Sequence, residues 1–581
     1  NENWEWQSHT VNDSVIYTPI VIDRNHAFTK VDGVLFKQML KMLSLDFICN
    51  YDSLILKDTK KINKLAFALD MAVAGRSDES VWIRQAQEIR KQMTDSLIDS
   101  AFTYLPEGVK HDEIELIKRK LKRRRLELEA VASQYYRLLQ RTPVVAGTNQ
   151  SDYFLIERQA PDRTILRIYD PETGDCRLEQ QFSGRETKEL WLYGLAGNDT
   201  FEVKGNTRKD FPIYLISGEG ENQYQLNHNR KIHVYDKDYK YDYQKIKYHK
   251  ISFTPWGIYD SDKGISLGTF FTYTMYGFKR APFTYQHRIG YNYLKGFMYA
   301  GVFPNYDGRR RLYLNASISS PRNFENFFGF GNNTAGYKEE KKNYNRVKLR
   351  TYMLNPSFEM DLRKEEVVTF FGSLDMYKAK RTDDRYIYTV YGEDHPIFRT
   401  NYFVGLGATY RITKQPYSWL PLLETEWTAG WKMNLKKPER NFPYAQGSLS
   451  WNVRFSDRFT WASLMKGTVL FDNDYEFYQA ATIDLRGFRD NRFIGKQSFY
   501  QYSDLRLDMG KLKNPFTPLK YGLFAGFDYG RVWFPGERSH SWHTSYGGGI
   551  WLTFLNKFTT KYSWFGSTDS FRFAFELGLG F

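Results

Sequence analysis

The chain has 581 residues, with 82 Lys and Arg against 67 Asp and Glu for a formal net charge of +15, and 41% of the residues are hydrophobic. This excludes a disordered chain and leaves room for roughly two to four domains at about 150 residues each. No run approaches the roughly 20 apolar residues of a membrane helix, so a helical membrane protein is excluded. The aromatic fraction is the outlier at 17%, with 44 Phe, 43 Tyr and 14 Trp beside 42 Gly. In a chain of hydrophilic average this fits an outer-membrane β-barrel, whose strands turn alternate residues to lipid and to water. A soluble β-protein stays open on composition alone.

The amino-terminal residues carry neither an initiator Met nor a signal-peptide pattern, so a targeting segment, if there is one, is expected outside this sequence. Val21-Ile22-Asp23-Arg24-Asn25-His26-Ala27-Phe28, after Asn1-Glu2-Asn3-Trp4-Glu5-Trp6, faintly resembles the end of an atypical secreted or spore-coat kinase lobe. That resemblance implies an Mg²⁺-holding role for Asp23 and a second metal contact at Asn3. No Gly-rich phosphate loop or phosphate-binding Lys accompanies them, and the expectation is a vestigial or truncated domain. Residues 1–143 read as mainly helical, over Val34–Leu45, Lys61–Ala74, Glu79–Ala101 and His111–Gln140. The last of these contains the run Lys118-Arg119-Lys120-Leu121-Lys122-Arg123-Arg124-Arg125. On a helix with apolar faces this reads as a solvated or membrane-facing surface, with anionic lipid headgroups as its natural partner rather than nucleic acid. Cys49 and Cys176 define neither a disulfide framework nor a zinc site.

Residues 144–250 read as a small β-rich domain with strands at Tyr153–Glu157, Thr164–Tyr169, Glu189–Tyr193, Thr200–Val203 and Ile213–Ile216. Gly194-Leu195-Ala196-Gly197-Asn198-Asp199 and Ser217-Gly218-Glu219-Gly220-Glu221-Asn222 repeat a turn before a strand. They resemble the G-G-x-G-x-D calcium repeat, yet the second copy lacks the Asp and the spacing is not nine residues. Calcium turns and plain paired turns are the alternatives.

From 251 to 581 every segment reads as a strand of alternating aromatic and polar residues. Strands are expected near 264–278, 284–295, 297–306, 310–320, 345–360, 367–380, 401–413, 423–435, 445–456, 459–471, 475–485, 497–510, 520–533, 542–555, 556–565 and 570–581. That makes about sixteen, an even number suited to closure. In the last, Phe571, Phe573, Phe575, Leu577, Leu579 and Phe581 share one face, and Arg572, Ala574, Glu576, Gly578 and Gly580 the other. Because unpaired backbone groups are costly in lipid, the first strand, taken as 264–278, must pair with the last. Gly578 and Gly580 would loosen that seam. Between the fourth and fifth strands, Asn323-Phe324-Glu325-Asn326-Phe327-Phe328-Gly329-Phe330-Gly331-Asn332 reads either as a client-binding surface loop or as an aromatic girdle and turn.

Three motifs then fall in order. Asp484-Leu485-Arg486-Gly487-Phe488-Arg489 looks like the [VL]-R-G-[FY] loop of BamA-type barrels, Tyr502-Ser503-Asp504-Leu505-Arg506 like the strand after it, and Phe524-Ala525-Gly526-Phe527-Asp528-Tyr529-Gly530-Arg531-Val532-Trp533 like the F-x-D-x-G-x-V-W strand. With the terminal Phe581, residues 251–581 resemble the outer membrane protein 85 superfamily, and the whole chain resembles a Bacteroidota-type fusion member. The resemblance implies a sixteen-stranded transmembrane barrel with a loop folded into its lumen. Asp528 shares its strand face with Gly522, Gly526 and Gly530, a floor on which a loop can approach closely. A carboxylate there needs a cation, and the resemblance supplies Arg486, whose guanidinium can grip it with two parallel hydrogen bonds. The expected clamp comprises Arg486, Gly487, Phe488 and Asp528, with Asp504, Arg506 and Asp508 lining the same lumen; the alternative pairs Asp528 locally with Arg531. No metallophosphoesterase metal set and no β-α-α-β-β polypeptide-transport module is found.

The resemblance implies a non-enzymatic outer-membrane protein of a Gram-negative bacterium, with a periplasmic amino-terminal region and no cofactor. Its work would be insertion or translocation of client polypeptides or lipoproteins, through the lumen or the first/last-strand seam. Lipid, lipopolysaccharide, accessory subunits and the outer-membrane assembly machinery are the implied partners. The alternative is an anchor holding a phosphotransfer-like domain or partner subunits at the membrane; a passive pore ranks below both.

Overall fold

The computed structural model describes residues 4–11, 14–22, 27–31, 37, 40, 45, 47–52, 54–105, 108, 111–206, 208–227, 231–235, 241–260, 262–277, 280–305, 307–334, 343–382, 384–414, 422–512, 519–554 and 558–579. Most of the expected helix Val34–Leu45 lies outside them, as do Asp23, Gly580 and Phe581. The described residues divide into two compact units, residues 1–249 with 275–282, and residues 250–274 with 283–581.

The first unit opens with an antiparallel hairpin, β1 (Trp4–Val11) and β2 (Ser14–Val21), whose side chains are nearly all exposed, Trp6, Ile16 and Tyr17 among them. Helices α1 (Phe67–Val73), α2 (Glu79–Gln92), α3 (Asp95–Ala101), α4 (His111–Leu126) and α5 (Leu128–Gln140) follow. Their ends obey local chemistry. Thr94 caps α3 by accepting from Leu97 N at 3.1 Å, and α2 carries Glu79 in its first turn and Arg90 and Lys91 in its last, complementing the helix dipole. The basic run on α4 is only partly a solvated face: Lys122 and Lys118 reach Asp99 at 2.8 and 3.4 Å, and Arg125 reaches Asp95 at 2.8 Å. Arg124 lies over the Tyr51 ring. Several of those cations therefore brace α4 against its neighbours.

Nine short strands, β3 (Val144–Ala146), β4 (Tyr153–Gln159), β5 (Arg163–Tyr169), β6 (Cys176–Ser183), β7 (Leu190–Tyr193), β8 (Thr200–Gly205), β9 (Ile213–Ile216), β10 (Gln223–Leu226) and β11 (Ile232–Tyr235), complete this unit. They form two sheets in the orders β10-β8-β4-β5-β6 and β11-β9-β7-β3. Strands β3, β7, β9 and β11 are parallel, and so are β4, β8 and β10. The chain thus coils through short rungs, with Phe154, Phe201 and Tyr224 stacked ring on ring at 4.6 and 5.7 Å in the core. The turns between rungs stack as well: a Cβ at Gly220 would sit 1.8 Å from Gly197 O, so only glycine fits there. Asp152 N donates to Asp199 Oδ1 and Asp199 N donates to Asn222 Oδ1, both at 2.9 Å. The repeated turns are therefore a side-chain ladder in which each Asp or Asn oxygen meets the backbone of the neighbouring rung. Among the described residues no group of three or more His, Cys, Asp or Glu is placed to hold a metal ion.

The second unit is a closed antiparallel barrel; beside the three-residue strand Phe324–Asn326, which pairs with Arg346–Lys348, the described residues form sixteen wall strands. They are β12 (Lys250–Asp260), β13 (Gly264–Met275), β14 (Tyr285–Asn292), β15 (Gly296–Pro304), β16 (Arg310–Ser319), β17 (Arg346–Arg363), β18 (Glu366–Ala379), β19 (Asn401–Lys414), β20 (Leu422–Asn434), β21 (Asn441–Arg454), β22 (Phe459–Leu470), β23 (Gln497–Leu512), β24 (Leu519–Trp533), β25 (His543–Phe554), β26 (Phe558–Gly566) and β27 (Phe571–Leu579). Alternation sorts the faces: Ile251, Leu267, Leu406, Trp427 and Phe571 point outward and are exposed, whereas Asp375, Asp504, Asp528 and Arg572 are buried inside. An apolar outer face around a charged interior is the arrangement that spans a bilayer.

The count of sixteen survives two departures from expectation. The first strand is β12, not 264–278; Pro255 and Gly257 interrupt its pattern, yet it pairs with β13 along its whole length, from Lys250↔Thr274 to Asp260↔Gly264. Segment 475–485 is no barrel strand. It belongs to the loop between β22 and β23, where only Ala481–Thr482 pairs with Ile494–Gly495. Its odd-numbered Tyr475, Phe477, Ala481, Ile483 and Leu485 are buried in the lumen instead of facing lipid, which gives a strand-like period without a strand. The Asn323–Asn332 segment is neither an exposed surface loop nor a girdle. Phe327 and Phe328 are fully buried, and Phe327 packs with Val347, Tyr377, Ile397 and Phe477 under the loops at the barrel end opposite Lys250 and Leu579.

Candidate functional site

The loop between β22 and β23 enters the barrel as an aromatic plug. Phe488, Phe493, Ile483, Leu485, Tyr500 and Val532 form one buried cluster, and the His543 ring stacks on Phe493 at 3.5 Å. At its centre Arg486 meets Asp528 on β24, a residue with no exposed surface. Arg486 Nε donates to both carboxylate oxygens at 3.1 and 3.0 Å, Nη2 donates to Oδ1, and the Arg486 backbone N donates to Oδ2 at 3.2 Å. Ser545 Oγ on β25 adds a bond to Oδ2 at 2.9 Å. The planar fork matches the carboxylate, and every donor reaches it where water is excluded, the geometry in which a charge-assisted pair is strongest.

Of the glycines on this wall Gly526 makes the space for the arginine, while a Cβ at Gly522 would meet Leu507 O and Trp551 and one at Gly530 would meet Tyr500. A Cβ at Gly526 would stand 2.6 Å from Arg486 Nη2 and 2.7 Å from Asp504 Oδ1. Gly487 lies where a Cβ would meet Ser545 Cβ at 2.7 Å and Gly566 O at 2.8 Å. Arg486 also lies 3.9 Å from the centroid of the Phe565 ring on β26, a cation–π contact. The other expected residues sort as follows. Asp504 takes Arg486 Nη1 at 2.7 Å and lies 3.7 Å from Arg506 and 3.8 Å from Lys561. Asp508 spends Oδ1 on Gly510 N at 2.8 Å, where the β23–β24 register shifts, outside this network. Arg531 turns away from Asp528, donating to Ser539 O and lying over the Trp533 ring. Beside the network a lumenal cavity of about 530 Å³ is lined by Arg486, Asp504, Arg506, Lys561, Arg572 and Glu576, among others.

The seam between the terminal strands differs from every neighbouring ladder. Among the described residues β12 and β27 are paired at Tyr259↔Phe575 and Asp260↔Ala574, whereas β26 pairs with β27 from Phe558↔Leu579 to Gly566↔Phe571. Gly578 lies on β27 opposite Thr559, beyond the paired part of the seam.

The sequence reading did not single out the polar residues that hold the plug at its sides. Asp262, almost fully buried, receives Arg489, Arg346 and Asn326. Arg492 pairs with Asp569, and Arg572 donates to Phe488 O. The spacing Arg486, Arg489, Arg492 in an otherwise aromatic loop is the signal that could have found them, since cations at such intervals on a buried loop require several anions.

No protein-family model matches the chain, and no curated protein matches it. Among solved structures it is similar to BamA from Haemophilus ducreyi lacking POTRA domains 1–3, with 12% identity over 61% of this chain and 73% of that one and a TM-score of 0.41. It is also similar to CdiB from Escherichia coli, at 11% identity over 61% and 66% with a TM-score of 0.37, and to CdiB from Acinetobacter baumannii, at 10% over 58% and 66% with 0.36.

Proposed function

We propose that the chain is an outer-membrane barrel of the BamA type that assists insertion or translocation of client polypeptides, lipoproteins among them, with the β12–β27 seam as its working element and its amino-terminal unit in the periplasm. The observation that carries this reading is the contrast, among the described residues, between the two ladders of β27: full pairing with β26, and a two-residue register with β12. The β12 edge from Lys250 to Ile258 then offers backbone groups to an incoming strand, the chemistry of strand addition. A lumen occupied by the clamped loop favours lateral exchange over a passive pore. The client polypeptide, surrounding lipid and lipopolysaccharide are the partners this mechanism requires, and none of its steps calls for a cofactor.

Gly257→Cys with Leu577→Cys, two residues along from the paired Tyr259↔Phe575, tests the reading, because a disulfide there locks the stretch of the seam that is unpaired among the described residues. The lock is expected to abolish client insertion in reconstituted vesicles and reduction to restore it, while the barrel stays folded. Full activity with the lock closed overturns the reading. A second reading, an anchor for partner subunits, is favoured by the exposed apolar side chains of the β1–β2 hairpin, Trp6, Ile16, Tyr17 and Ile20. It predicts that the lock changes nothing and that deleting residues 4–21 releases a co-purifying subunit.

A further inference from the structure

We infer that loop residues 487–492 form a strap across the β12–β27 seam, pinning one end of it so that the seam opens as a hinge from the Lys250 end. The inference rests on the seam reading above and adds a control that the strands alone do not supply.

The strap holds both sides of the gap. Toward the first hairpin, Arg489 pairs with Asp262, and Lys263 Nζ meets Asp490 at 2.9 Å; Asp262 and Lys263 both lie in the turn between β12 and β13. Toward the last hairpin, Arg492 pairs with Asp569, and Ser567 Oγ donates to Gly487 O at 2.7 Å; Ser567 and Asp569 lie in the turn between β26 and β27. Arg572, on β27 itself, donates to Phe488 O. Five of six consecutive loop residues therefore reach two elements that the chain separates by some three hundred positions, and that touch each other through only a short register.

Position along the seam gives the strap its consequence. The paired residues Tyr259↔Phe575 and Asp260↔Ala574 stand at the end where β12 turns into β13, next to the strap. Backbone pairing and side-chain links thus coincide at one end. At the other, from Lys250 to Ile258, no pairing with β27 is present among the described residues. The charges involved are largely buried: Asp262 1%, Arg492 6%, Arg489 13% and Asp569 13% exposed in their side chains. Losing Arg492 or Asp569 leaves the other as a buried charge without its partner, whereas Asp262 keeps Arg346 at 3.5 Å when Arg489 is lost, so the β27 side is the more sensitive of the two. The Arg486–Asp528 clamp roots the same loop on β24, a strand that is not part of the seam.

The experiment places spin labels on outward-facing positions of the full-length protein in lipid. Ile265→Cys with Ile550→Cys, level with each other through Tyr259, Phe575 and Tyr562, spans four strand spacings at the strapped end, about 19 Å on ladder geometry. Thr269→Cys, opposite Pro255, with Phe554→Cys, opposite Phe558 and through it Leu579, reports farther toward the Lys250 end. The expected result is a single narrow distance at the strapped end and a broad one at the other. Arg489→Gln with Arg492→Gln should abolish the narrow distance, while Glu476→Gln, which breaks the Arg440 contact of the same loop away from the seam, should leave it intact. If the double variant does not fold, Asp569→Asn cuts the β27 side alone and should also cost the narrow distance. A narrow distance that persists in whichever of these variants folds overturns the strap. Client insertion in the same variants separates the two readings: a loosened seam with unaltered insertion leaves the strap standing and removes the seam from function.

Discussion

Two aspartates in this protein are equally hidden from solvent, and their surroundings make them opposites. Asp528, in the barrel lumen, and Asp199, in the turn ladder of the first unit, each have no exposed surface. Asp528 receives the Arg486 guanidinium, the Arg486 backbone N–H and the Ser545 hydroxyl. Asp199 receives one backbone N–H at Oδ1, and its Oδ2 has no hydrogen-bond partner among the described residues. Burial without a cation pushes the Asp199 carboxyl up to about 7, because removal from water penalises its charged form. Burial of an acid therefore costs little or much according to the donors that meet it, and the barrel has folded the loop between β22 and β23 into its lumen to supply them.

The contrast can be broken most strongly at the clamp. Arg486→Ala leaves Asp528 buried with its main counter-ion gone, and a loss of about 3–5 kcal/mol is expected for a buried pair cut on one side. Release of the 471–496 loop should appear as new protease cleavage there and as earlier heat-unfolding of the barrel on gels; unchanged resistance would show that the clamp does not hold the loop. Gly526→Ala acts on the same pair without removing a charge. Its Cβ enters the space of Arg486 Nη2 and Asp504 Oδ1, and overpacking of about 1–3 kcal/mol should lower the same transition by less.

Phe565→Leu keeps the wall apolar but removes the ring beneath the guanidinium, with an expected cost of about 1–2 kcal/mol read in the same melt. At Asp199 the effect is smaller and depends on pH. The folded carboxyl, near 7, binds its proton more tightly than the unfolded one, near 3.8, so the folded state holds more protons across that window. Its contribution is fully present below the unfolded value and is lost as pH rises toward 7. Amide protection factors of β7–β10 in the full chain, corrected for the base-catalysed intrinsic exchange rate, should therefore be higher near pH 5 than near pH 8. Asp199→Asn should flatten that difference, since Asn222 already shows an amide seated in the same ladder one rung away.

Much of the barrel was legible because lipid imposes a strict rule. Every spanning strand must alternate, and the pattern from Phe571 to Glu576 states which face is which before any coordinates exist. The Arg486–Asp528 contact was legible for a related reason: a carboxylate over a floor of glycines needs a cation, and Arg486 stood in the motif that could provide it. Reading failed where alternation and burial part company. Tyr475, Phe477, Ile483 and Leu485 carry a strand period because the aromatic loop is packed inside the lumen, and β12 escaped notice because Pro255 breaks its period while leaving its pairing with β13 intact. The repeated turns around Asp199 and Asn222 announced themselves as repeats, but their hydrogen bonds run between rungs.

The sequence by itself determined the local periods: helices in the first part, short strands with glycine turns in the middle, and alternating strands enough for a closed wall. Those follow from backbone geometry and from which side chains tolerate lipid, both properties of neighbouring residues. Only the tertiary structure decided that Asp262 and Asp569 receive arginines from one loop, that β12 and β27 meet through so short a register, and that Asp199 is buried without a counter-ion. These depend on which distant segments share a small volume from which water is excluded, and there the energy of a charge is set by its partners in space rather than by its place in the chain.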